Sequence, residues 1–273
     1  MRNIQFADIL KNKVEYWYEL LHGSDQNYPV VQMREIARKA QFFRLFNSII
    51  ELRVRDDEIT EVNYLLWSML TQGYICCQVA AIRRMSEKQK NTPEKQVTSL
   101  RALIDDIKHF MVTYSDIKSE QIIMMYKTLE PDCNDELIAA IQNDPGEYRT
   151  YKDPKDLGNK FKVIVDELKE CESVCEHMNK YIAHAATQDS RKNIKRLKYG
   201  DLYKAEKLIW NAYNSLRWLM FRDNYPINTS YSFDPIEYLD MPLVKKDEME
   251  GVKQSMREIE SEMTSWFSIL DIA

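Results

Sequence analysis

DPKDLGNKFKVIVDELKECESVCEHMNKYIAHAA, residues 153–186, decides the fold. Leu157, Phe161, Ile164, Leu168, Cys171, Cys175, Met178, Ile182 and Ala185 recur at steps of three and four. That spacing draws one apolar stripe along an α-helix, which turns once every 3.6 residues or so. Asp153 before Pro154 marks its start. The carboxylate accepts a first-turn N–H, and proline there gives up an N–H that would have no intrahelical partner. Off the stripe, near the far end, sit His177, Asn179, Lys180 and His184.

The same periodicity extends outward in both directions. Leu10, Val14, Trp17 and Leu21 predict a helix over 4–21, ended by Gly23 and Ser24. Ile36, Ala40, Phe43, Phe46 and Ile50 predict a second over 30–54. Residues 59–85 are apolar on most sides, which predicts the central helix of a bundle. Thr92-Pro93 predicts the start of a helix running to about 112, and 118–143 reads as two short helices broken at Glu130-Pro131-Asp132. Asp201 is expected to open another, through Leu219. Residues 223–235 read as loop. Asp234-Pro235 with Glu237 forms a capping-box pattern.

The last element differs. Met249, Val252, Met256, Ile259, Met263, Trp266 and Leu270 form a narrow seam of heptad type. Such a seam suits a helix lying back on the body, or one docking on a second copy or a partner. Glycine numbers six and proline eight, few for an all-β chain, and no segment reads as a strand. The expected fold is all-α: a helical bundle over 1–225, then a loop and an extra C-terminal helix over 226–273.

Composition narrows the function. Hydrophobic residues make up 44% and charged residues 30%, as in soluble globular proteins. A net charge of −5 argues against a surface coated in cations for bulk nucleic-acid binding. The five cysteines are odd in number and include no CxxC pair, so neither a disulfide framework nor a zinc site is signalled. Cys171 and Cys175 fall on the apolar stripe and read as small core hydrophobes. There is no apolar leader and no run of ~18 apolar residues. A cytoplasmic chain with no membrane span is expected. The signals of phosphate loops, dinucleotide sites, zincins and serine-hydrolase elbows are missing, so no cofactor or metal is expected. The pairs Asp56-Asp57 and Asp105-Asp106 read as solvated surface.

One constellation remains. On an ideal helix His177 and His184 lie about 20° apart around the axis, and Lys180 lies within about 40° of His184. Beyond them, residues 189–204 hold Arg191, Lys192, Lys195, Arg196, Lys198 and Lys204 against Asp189 and Asp201, a net charge of +4. Cations that hold a phosphate backbone beside an imidazole that moves a proton are what RNA cleavage needs. A structural histidine and a solvated charge run would fit the same spacing.

The segment NKYIAHA, residues 179–185, resembles the signature helix of the HEPN superfamily, in its bacterial abortive-infection branch. The resemblance extends to AIRRMSEK and TSLRALIDDI before it and to residues 200–222 after it, covering about 40–225. It implies an all-α fold and a metal-independent endoribonuclease of antiphage defence, of toxin type, working as a dimer on RNA. It further implies that His184 is the general acid or base and that Asn179 orients it or the phosphate. Arg191, Lys192, Lys195, Arg196 and Lys198 would hold the strand. The family motif begins with an arginine, and here that position is Met178. Either the chain is a degenerate member kept for binding or assembly, or Lys180 or His177 supplies the missing positive charge.

Overall fold

A computed structural model describes residues 2–55, 64–88, 98–114, 117–130, 133, 135–144, 154–177, 179–180, 197–223, 250–251, 253–255 and 257–258. Among the described residues nine helices are delimited and there is no strand. These are α1 (Arg2–His22), α2 (Pro29–Arg55), α3 (Tyr64–Ser86), α4 (Leu100–Thr113), α5 (Ser119–Lys127), α6 (Asp135–Asn143), α7 (Pro154–Lys169), α8 (Glu172–His177) and α9 (Tyr199–Phe221). They belong to one compact unit, Met1–Ser230, and Tyr231–Ala273 forms a second. In the second unit the described residues, within 250–258, are helical. All seven seam residues, Met249 to Leu270, and the Asp234 capping box lie outside the described residues.

The stripes read from the sequence become the core. Val14, Trp17 and Leu21 of α1 are buried, as are Met33 and Ile36 of α2. Leu100, Leu103, Ile104 and Ile107 bury the inner face of α4. At the centre the Trp17 ring meets Phe110 edge-on with centroids 5.3 Å apart, and Tyr126 stacks on Phe221 at 4.0 Å. Asp106 is no idle surface carboxylate: it accepts from Lys13 Nζ at 2.8 Å and from Trp17 Nε1 at 2.8 Å, tying α1 to α4. Helix α1 stops where expected. A Cβ at Gly23 would stand 2.5 Å from the Glu19 carbonyl oxygen, so only glycine fits that close approach.

Four further sequence expectations need correction. Helix α4 does not begin at Thr92-Pro93: Ser99 is extended, and its hydroxyl accepts from the Ala102 N–H, so the helix starts at Leu100. Helix α9 starts two residues before Asp201. Asp201 sits in the first turn and its carboxylate accepts from the Lys198 N–H at 3.0 Å, closing half of a capping box. The single helix expected over 154–185 is interrupted: α7 ends at Lys169, a turn at Glu170-Cys171 follows, and α8 restarts at Glu172.

Finally, α3 is not central along its whole length. Val79, Ile82 and Met85 in its second half are fully buried, but Leu65 is 69% and Met69 63% exposed. Leu65–Ser86 is the one described stretch long and apolar enough to cross a membrane by length and composition. Its second half is fastened into the bundle by more than apolar contact: the buried Gln78 amide donates to the Ile36 carbonyl at 2.9 Å and to Glu206 Oε1 at 2.9 Å.

Candidate functional site

Helix α8 carries His177, the first of the predicted site residues. Cys171 and Val174 are buried beneath it. The Cys171 thiol reaches the Ala205 carbonyl of α9 at 3.9 Å, and Cys175 Sγ lies 3.3 Å from Ser86 Oγ of α3. The short helix is therefore held between α3 and α9. Burial pushes the Cys171 thiol up to about 12 and raises Cys175 as well. Both stay protonated near neutrality, which makes them core residues rather than nucleophiles or ready metal ligands.

His177 ends α8, half-buried, and burial lowers its pKa from the ordinary 6.5. Burial thus disfavours its imidazolium form. Asn179 and Lys180 follow, both partly exposed, in a π-turn. Such a turn closes i→i+5 rather than i→i+4 hydrogen bonds and is frequent at functional sites. It also holds an extra residue, so ideal-helix angles do not carry across it. The face shared by His177, Lys180 and His184 was drawn on such angles and loses that basis. Lys198 is exposed just before α9. Met178, His184, Arg191, Lys192, Lys195 and Arg196 lie outside the described residues.

A second polar cluster had no sequence signal of its own. Asp223, its side chain 0% exposed, accepts on Oδ2 from Arg217 Nε at 2.8 Å and from the Tyr126 hydroxyl at 3.2 Å. His22 Nε2 stands 2.5 Å from the Tyr126 oxygen and 3.3 Å from Asp223 Oδ2, with its ring stacked on Tyr18. Nearby, buried Lys127 pairs with Glu130 at 3.2 Å.

Ligand atoms of His22, Glu130 and Asp223 lie within 4.8 Å of one another, close enough for a metal ion. The charge balance argues against one. Each carboxylate already has its own cation, Arg217 or Lys127, so a divalent ion would leave uncompensated positive charge in a buried place. The cluster acts as a lock between α1, α5 and the end of α9. Arg222 turns that corner at φ 52°, in left-handed backbone, and the Asp223 N–H returns to the Arg217 carbonyl at 3.4 Å.

No protein-family model matches the chain, and neither a curated protein nor a solved structure matches it with significance.

Proposed function

We propose that the chain is a HEPN-like protein of bacterial antiphage defence: a metal-independent endoribonuclease, cytoplasmic and dimeric, acting on RNA through His184 and Asn179. The observation that supports this reading is the end of α8, where a wide turn brings an imidazole, an amide and a lysine together in sequence just before His184 and the basic run. In the proposed reaction the RNA 2′-hydroxyl attacks the adjacent phosphorus as it loses its proton. The bond to the departing 5′ oxygen breaks as that oxygen gains one, leaving a cyclic phosphate end. His184 moves a proton and Asn179 orients it or the phosphate. Lys180 offsets the charge on the phosphorane. His177 is the weaker candidate, because burial disfavours its charged form. A lysine gives a point charge where the family has a bidentate fork, so turnover is slow.

Met178 favours a second reading, a catalytically degenerate RNA-binding or scaffolding subunit. One assay separates the two. Purified protein is incubated with a defined RNA in EDTA, and the ends are mapped. The first reading expects cyclic phosphate ends, loss of cleavage in His184→Ala, and a rate lower by about 10²–10³ in Lys180→Ala. Cleavage that needs Mg²⁺ or survives His184→Ala overturns it. RNA binding with no cleavage selects the second.

A further inference from the structure

We propose that Tyr199 and Tyr203 of α9, with Arg44 of α2, form a stacking platform for the bases of single-stranded RNA. The platform rests on the RNA reading above but lies on other residues. Tyr199 and Tyr203 are 48% and 52% exposed. They stand four residues apart on the outer face of α9, with Lys207 a further four along.

Both rings are braced from α2 rather than left loose. The Phe43 ring lies 5.7 Å from the Tyr199 ring and stacks on Tyr74 of α3 at 3.9 Å. The Arg44 guanidinium lies over the Tyr203 ring at 4.4 Å. Arg44 is in turn held by buried Glu206 at 3.2 Å, and Glu206 also accepts from the Tyr74 hydroxyl at 2.6 Å. A flat cation on one aromatic ring, beside a second braced ring, offers π-surface without selecting a base.

Charge identifies the occupant. Lys198 and Lys207 are exposed before and after the two rings along the chain, and the sequence ahead of Lys198 holds Arg191, Lys192, Lys195 and Arg196. In a chain of net charge −5, cations placed around exposed rings suit a polyanion carrying flat groups. Spacing favours a single strand. Four residues of helix rise about 6 Å, whereas bases in a duplex stack about 3.4 Å apart. A splayed strand can place one base on each ring, and a duplex cannot.

The test uses the full chain in a His184→Ala background, so that the probe survives. Fluorescence anisotropy compares a labelled 12-nucleotide oligouridylate with an abasic ribose-phosphate strand of the same length. Tyr199→Ala and Tyr203→Ala are each expected to weaken oligouridylate binding about tenfold. They should leave abasic binding unchanged, and Tyr203→Phe should bind like its parent. Sedimentation of the same variants reports self-association. Parent protein that binds RNA as tightly as both alanine variants overturns the platform and leaves the RNA reading standing. The platform also falls if alanine weakens both probes equally, or if it abolishes self-association while RNA affinity stays constant. A parent that binds neither probe overturns both readings.

Discussion

His177 illustrates how burial assigns a role that residue type leaves open. From the sequence, His177 and Lys180 were equal candidates for the positive charge lost with arginine at position 178. The fold lowers the His177 pKa by desolvation, because burial penalises the charged imidazolium. Since its folded value lies below 6.5, the folded state binds fewer protons than the unfolded chain just under that pH. The associated stability is therefore present above pH 6.5 and is lost as the pH falls through the folded value. An NMR titration of the imidazole, assigned with His177→Ala, should find a midpoint below 6.5. A midpoint at or above 6.5 would return His177 to the list of cations. The identity of these polar residues was legible in the sequence because they fall off the apolar stripe. Their relative orientation was not, since a π-turn leaves no mark in hydrophobic spacing.

At the scale of elements, the Arg217–Asp223–Tyr126–His22 cluster joins the ends of three helices. Its members are distant in the chain and individually ordinary, so no local pattern announces it. Asp223→Ala would leave the Arg217 guanidinium buried without this carboxylate. The expected loss is about 3–5 kcal/mol in urea unfolding, with much of it recovered when Arg217 is also made apolar. A loss below about 1 kcal/mol would show that the cluster locks nothing. The helices themselves were largely legible, because stripes at three and four give direction, although the caps read at Thr92 and Asp201 misplaced two starts. Two failures have physical causes. The break at Glu170-Cys171 contains neither glycine nor proline, and the stripe passes through it unbroken. The burial of α3 was overestimated because an apolar sequence states what a helix can bury, not where a neighbour is present to cover it.

On the scale of the whole molecule, the chain divides at Ser230. The buried aromatic centre and the polar lock lie within the first unit. A chain ending at Ser230 is therefore expected to keep a helical circular-dichroism spectrum and a cooperative thermal transition. If the C-terminal helix docks on a second copy, the truncated chain will also be monomeric by light scattering. Loss of helicity in the short chain would show that the second unit is required for folding. The sequence leads one to expect a change near residue 226, where a loop rich in Asn, Pro, Ser and Tyr precedes a heptad seam. Four of the five thiols divide along different lines. Cys76 and Cys77 are exposed on α3, whereas Cys171 and Cys175 have raised pKa values beneath α8. An alkylating reagent at neutral pH therefore marks α3 first and leaves the core silent. The molecule thus carries its own reporter of whether that helix is covered.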